Sequence, residues 1–191
     1  MKINVKELKD INEVRKYMYK ASEVLFTAEE DLMFDETIEY DEKQQRIGDL
    51  KNTILELRKR LYEISSPVFS DGIIDLYCDY GTHFSICEFG KIIPIGTIEY
   101  TNTSNPIPGN ISYKIKKEYR GHNYALRALR MIGKQLLDEG ITSITITVSN
   151  NTNYPSIKTI EKFGGIIASH WSLEDSGPIP YTCDLKRIYS K

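Results

Sequence analysis

The sequence is short of the residues that build metal centres and disulfide frameworks: its 191 residues include three Cys, three His and one Trp. Cys78, Cys87 and Cys183 are odd in number and lack C-x-x-C spacing, which argues against a disulfide scaffold or zinc knuckle and suits a reducing compartment. His83, His122 and His170 fall in separate segments with no H-x-x-x-H or H-E-x-x-H pattern, so no metal is expected. Charge of one sign is also lacking. With 25 basic and 27 acidic residues the net charge is −2, unlike the strongly basic face of a dedicated nucleic-acid binder. No run approaches the ~18 apolar residues of a membrane span, and the charged N-terminus holds no signal-peptide core. The expectation is a cytoplasmic protein that binds neither nucleic acid nor membrane; its oligomeric state is not legible. The strings G-x-x-x-x-G-K-[ST], G-x-G-x-x-G and G-x-S-x-G are absent, which removes P-loop, dinucleotide-fold and hydrolase-elbow readings.

What is present is the composition of an ordinary globule, 40% hydrophobic and 27% charged, at the length of one domain. We therefore expect residues 1–191 to form a single domain, helical over 1–66 and sheet-rich over 67–191. In 5–25, Leu8, Ile11, Val14, Met18, Ala21 and Leu25 recur at three- and four-residue steps, and Ile47, Leu50, Ile54, Leu57, Leu61 and Ile64 do the same in 41–64. Both patterns predict amphipathic helices that need a partner surface, expected to be the sheet. Between them, 29–42 holds eight acidic side chains and no basic one (Glu29, Glu30, Asp31, Asp35, Glu36, Glu39, Asp41, Glu42). It reads either as a solvated connector feeding a helix N-terminus or as a lip that attracts a cation.

After Pro67 the texture changes to short β-rich runs at 73–78, 83–89 and 92–100, separated by Asp79-Tyr80-Gly81 and Gly90-Lys91, which predicts an antiparallel meander. A fourth strand at 111–116, a helix at 123–139 ended by Gly140, a fifth strand at 144–149 and a helix at 155–163 follow. Strands at 166–173 and 181–188 complete an α/β pattern. The turn between the fourth strand and its helix, Lys116-Lys117-Glu118-Tyr119-Arg120-Gly121-His122-Asn123-Tyr124-Ala125, carries three cations. Helix N-termini expose unpaired N–H groups, so such a turn suits an anion. From 111 to 140 seven basic residues face three acidic ones, a local +4 in a chain of −2.

Three motifs in order and spacing make this chain resemble the GNAT superfamily of acyl-CoA-dependent N-acyltransferases. Arg120-Gly121-His122-Asn123-Tyr124-Ala125 matches its phosphate loop [QR]-x-x-G-x-[GA], with Asn123 in place of the central Gly. Asn153-Tyr154-Pro155-Ser156 matches N-x-x-[SA], and Glu161-Lys162-Phe163-Gly164-Gly165 matches E-K-x-G-[FG]. The resemblance covers about 109–191. It implies an α/β (α+β) fold with a mostly antiparallel central sheet, splayed between the fourth and fifth strands and flanked by helices. It also implies acetyl-CoA as cosubstrate, with no metal. The pantetheine arm would lie along 111–115, Tyr113 and Ile115 included, and the pyrophosphate on the N–H groups of His122, Asn123, Tyr124 and Ala125 after Gly121. Arg120 and Lys117 would be counter-charges, Asn153 would bind the pantetheine amides, Ser156 would lie near the sulfur, and Lys158 and Lys162 are candidates for the nucleotide end, with Lys162 reading first as part of a solvated helix face.

The implied reaction is direct acetyl transfer to a primary amine, which needs proton removal, an oxyanion donor and stabilisation of the leaving sulfur. Ser156 could donate to the thiolate. The position seven residues after Asn153, where many members place a Tyr acid, is Ile160 here; Tyr154 is the candidate substitute. Glu99 is the candidate base, with His83 and His170 as alternatives, and water as a further one. A different class stays open, a catalytically silent CoA-binding or sensor module. The acidic 29–42 stretch hints at a cationic acceptor such as a polyamine, aminoglycoside or Lys-bearing peptide.

Overall fold

A computed structural model describes residues 4–34, 40–101, 111–149, 153–168 and 178–190. They divide into two compact units, Met1–Pro67 and Val68–Lys191. In the first, Asp10 Oδ1 accepts the Glu13 N–H at 2.9 Å and starts α1, Ile11–Phe34. The predicted helix ended at 25, but no Gly or Pro follows to stop it, and buried Ala28 carries the apolar face one turn further along the same helix. α2 spans Tyr40–Ile64. Nine of the fourteen residues of the acidic stretch expected as a connector, 29–34 and 40–42, are therefore helical, and residues 35–39 lie outside the described ones. Glu29 on α1 pairs with Lys51 on α2 at 2.8 Å. Val14, Met18, Leu57 and Leu61 are fully buried, as their spacing predicted. No described helix is long and apolar enough to cross a membrane.

The second unit is an eight-stranded sheet flanked by helices. Its strands are β1 (Phe69–Ser70), β2 (Ile74–Tyr80), β3 (His83–Glu88), β4 (Pro94–Tyr100), β5 (Ile111–Ile115), β6 (Ser143–Val148), β7 (Ile166–Ile167) and β8 (Ile179–Asp184). Their spatial order is β1-β2-β3-β4-β5-β6-β8-β7. All neighbours pair antiparallel except β5 and β6, which are parallel because α3, Tyr124–Asp138, crosses over between them. α4 is Tyr154–Phe163 and α5 is Leu185–Tyr189. Ile86, Ile98, Leu129, Ile144, Ile146 and Ile160 sit at the centre of the core between sheet and helices.

Three predicted elements shift. β2 runs on to Tyr80, so the first hairpin turns at Gly81 and not at 79–81, because Gly81 supplies the positive φ of 50° that the turn requires. The third strand begins at Pro94 rather than 92. The last predicted strand, 181–188, stops at Asp184, whose Oδ1 accepts the Arg187 N–H at 3.0 Å and opens α5. Its apolar residues Leu185 and Ile188 pack on the core from a helix turn instead. Of the 166–173 strand, Ile166–Ile167 is observed, and 169–173 lies outside the described residues.

Candidate functional site

β5 is registered against β4 along its whole length, from Tyr100↔Ile111 to Gly96↔Ile115, but meets β6 at the single pair Ile111↔Ile146. Beyond that pair the two strands part, as the expected splay requires. The Lys116 N–H donates to the Ile95 carbonyl at 2.9 Å. Antiparallel pairing alternates along a strand, so Ser112 and Lys114 also bond toward β4, whereas Tyr113 and Ile115 turn their N–H and C=O groups into the gap. Arg120 Nε donates to the Ile115 carbonyl at 3.1 Å, which ties the basic turn to the gap-facing edge.

The gap opens into a cleft of about 460 Å³. Ten of the twelve predicted cofactor-binding residues line it: Tyr113, Ile115, Arg120, Gly121, Asn123, Tyr124, Ala125, Asn153, Ser156 and Lys158. Lys117 and His122 are not among its lining residues. Lys162, the other candidate for the nucleotide end, also lines it, on the same helix face as Lys158 four residues away; Lys114, of the expected 111–115 lining, does too, while Tyr119, Pro155 and Thr159 are additions.

At the phosphate end, Asn123 stands where the motif has Gly and takes the conformation Gly would supply, φ 59° and ψ 19°. Its side chain makes no capping bond, and the first helical bond runs from the Arg127 N–H to the Asn123 carbonyl at 3.0 Å. The amides of the first turn are thus left without intrahelical acceptors and without the usual side-chain cap, a ready anion site. The Tyr124 hydroxyl donates to Glu88 Oε1 at 3.0 Å, and Lys91 Nζ meets Glu88 Oε2 at 2.6 Å. Those two bonds, Lys91 foremost, hold the Glu88 carboxyl below its ordinary range. His122 stacks on the Tyr124 ring at 5.5 Å.

At the opposite end, the Asn153 carbonyl accepts the Ser156 and Ile157 N–H groups at 3.1 Å each and starts α4, while its side chain makes no capping bond. That leaves the Asn153 amide to serve a ligand in the cleft it lines. The Tyr113 hydroxyl crosses from β5 to donate to the Ser156 carbonyl at 3.3 Å. Burial pushes the Tyr113 phenol up, against a smaller opposite pull from hydrogen bonds with Ser156 and Thr159. Ile160 is 1% exposed in the core, whereas Tyr154 is 65% exposed and does not line the cleft.

Glu99 does not line the cleft either. It sits half-buried on β4, in register with Ser112 on one side and His83 on the other. Because Ile98 opposes Tyr113, Glu99 projects from the other face of the sheet. His83 Nδ1 lies 3.1 Å from Asp79 Oδ2, which also accepts the Ser85 hydroxyl at 2.9 Å, and the His83 ring stacks on Tyr80. His170 lies outside the described residues. Among the described residues no group of His, Cys, Asp and Glu could hold a metal ion. Burial pushes the Cys87 and Cys183 thiols up to about 12, so both are core fillers rather than nucleophiles.

Residues 52–165 match the family model described as the acetyltransferase (GNAT) family. The chain belongs to this GNAT family. The match begins in α2, well before the first of the three motifs, and ends at Gly165. Solved structures similar to this GNAT chain include an acetyltransferase from Agrobacterium tumefaciens str. C58, at 17% identity over 53% of this chain and 59% of that one, with a TM-score of 0.44. The chain thus spans less than two thirds of that protein. The ribosomal-protein-S5-alanine acetyltransferase from Vibrio fischeri is 17% identical over 74% of this chain and 72% of that one, TM-score 0.42. The microcin C7 self-immunity acetyltransferase, solved in complex with acetyl-CoA and AMP, is 11% identical over 87% and 88%, TM-score 0.44. No curated protein sequence matches the chain.

Proposed function

We propose that this GNAT-family chain transfers an acetyl group from acetyl-CoA directly to a primary amine. The observation that carries the reading is the gap between β5 and β6, which leads from Ile111 to the uncapped amides of α3. A thioester arm fits it on chemical grounds. The gap-facing peptide groups of Tyr113 and Ile115 have no strand to pair with and match the amides of pantetheine. The first-turn amides of α3, with Arg120 beside them, match a diphosphate. Asn153 would bind the amide nearest the sulfur, and Lys158 the nucleotide end. Acetyl-CoA supplies an acyl carbonyl already activated as a thioester.

The chain's own groups then do three things. The Tyr113 N–H polarises the acyl carbonyl, where charge develops as the amine attacks. Glu99, level with Ser112 beside the closed end of the gap, takes the amine proton from the opposite face of the sheet. Ser156, in the first turn of α4, donates to the departing sulfur. We read the acceptor as cationic because of the acidic 29–42 stretch, and the setting as cytoplasmic because Cys78, Cys87 and Cys183 are all free thiols.

Calorimetry with acetyl-CoA, followed by a thiol-release assay over a panel of amines, tests the reading. Expected are saturable binding that Asn153→Ala weakens about tenfold, the loss of one or two hydrogen bonds, and turnover that favours polyamines over neutral amines. Binding without turnover on any amine would leave a silent CoA-binding module. Absence of binding would remove both.

A further inference from the structure

The leaving thiolate needs a proton: Ser156 lines the cleft and can give it a hydrogen bond, but an aliphatic alcohol is too weak an acid to give up its proton, Tyr154 is 65% exposed and outside the cleft, and the position of the family's Tyr acid is Ile160, buried in the core. Tyr124 lines the cleft but gives its hydroxyl to Glu88 at the phosphate end. Tyr113 is placed differently. It rises from the strand whose backbone faces the gap, and its hydroxyl ends over the first turn of α4, 3.3 Å from the Ser156 carbonyl, in the cleft also lined by Asn153 and Thr159. That bond is long for O–H···O, so little is lost when the hydroxyl turns to another acceptor.

We infer that the Tyr113 phenol is the proton donor to the leaving sulfur, an inference that rests on the acetyltransferase reading above. The amine nitrogen forms the C–N bond, the C–S bond breaks with its electron pair left on sulfur, and the phenol proton passes to that sulfur to give the thiol. The phenoxide recovers a proton from water, and the proton shed by the amine leaves through Glu99 to solvent. The surroundings suit both states of the phenol. Burial keeps it protonated between turnovers, and hydrogen bonds with Ser156 and Thr159 favour its charged form when the proton has gone.

The test compares two acyl donors, acetyl-CoA and its selenium analogue acetyl-seleno-CoA, whose selenolate leaves without needing a proton. Tyr113→Phe removes one hydroxyl and keeps the ring; its thermal midpoint, expected to match the wild type, checks the fold. With acetyl-CoA the variant is expected to lose about 100-fold in kcat, the scale of general-acid catalysis. With the selenoester the two proteins should run within about threefold of each other. Wild-type kcat in the variant, or an equal loss on both donors, overturns the assignment, since a merely structural hydroxyl would not distinguish sulfur from selenium. Wild-type protein that acetylates no amine fails the functional reading itself and takes this inference with it. Wild-type turnover with an undiminished Tyr113→Phe removes the proton donor alone.

Discussion

Tyr124, the first residue of α3, donates its hydroxyl to Glu88 Oε1 at the end of β3, 3.0 Å away. The bond joins the loop that would cradle phosphate to the β3–β4 turn, and the Lys91 ammonium on the other Glu88 oxygen keeps that carboxylate charged. The amides of a helix N-terminus bind an anion only as well as the turn is held. Tyr124→Phe removes one hydrogen bond to a charged group. The dissociation constant for acetyl-CoA should rise roughly tenfold by calorimetry, and Glu88→Ala should act in the same direction. A Tyr124→Phe protein that binds as tightly as wild type would show that the loop holds itself.

Asn123 does by tolerance what the motif does with Gly. A left-handed residue other than Gly or Asn costs about 1–2 kcal/mol, and Asn123 is the one described non-Gly residue with positive φ. Asn123→Gly should therefore keep acetyl-CoA affinity within about twofold, whereas Asn123→Val should lower both affinity and the thermal midpoint. Equal behaviour of the two variants in calorimetry and thermal unfolding would contradict the strain argument.

The fold was legible where its signals are local. Apolar spacing gave both N-terminal helices, and alternation with Gly turns gave the meander. The cleft was legible because a backbone-built site leaves its mark in the residues that shape backbone: Gly121, Asn123 and the helix starts after them. What stayed hidden depends on contacts far apart in sequence. The Tyr113 hydroxyl meets a carbonyl 43 positions away and the Tyr124 hydroxyl a carboxylate 36 positions away, and neither pairing has a local pattern. The fate of 185–188 was hidden for another reason. Leu185-Lys186-Arg187-Ile188 is too short for the spacing of its two apolar residues to decide between strand and helix, and the Asp184 cap that decides it is one side chain. His122 lies in the phosphate motif and Lys117 three residues before it, yet neither lines the cleft, because the motif fixes the backbone path and not every side chain's direction.

Gly96 backs the strand that borders the gap, opposite Ile115 on the edge of β5 that faces β4. A Cβ there would collide with the Lys114 carbonyl and would lie 2.7 Å from the Ile115 Cδ1 and 3.2 Å from its Cα. Both residues belong to β5 and Ile115 carries part of its gap-facing edge, so the strain would be relieved by moving β5. Gly96→Ala is expected to cost about 1–3 kcal/mol in denaturant unfolding, the usual penalty of overpacking, and to weaken acetyl-CoA binding beyond what the lost stability explains. Unchanged binding in the folded variant would show that β5 can shift without disturbing the gap.

Asp71 fastens α3 a second time on the same face, one turn on from Tyr124, with Arg127 Nη1 2.7 Å from its Oδ2 while its Oδ1 accepts the Ile73 and Ile74 N–H groups at 2.9 Å each. Partial burial pushes the carboxyl up, but those two amides and the guanidinium together bring it below its ordinary value. A carboxyl depressed in the folded state adds stability that is present in full above its unfolded value, about 3.9, and is lost as pH falls through the lower folded value. The pair is partly exposed, so solvent screening limits its share, and the whole Asp71 arrangement is worth about 1 kcal/mol. Asp71→Asn should unfold about 1 kcal/mol more easily than wild type at pH 7 in urea. The difference should start to shrink below about pH 4, where the unfolded chain takes up the proton first, and vanish once the folded carboxyl is protonated at its lower value. A difference that persisted undiminished at pH 2 would mean that the side chain stabilises through shape rather than charge.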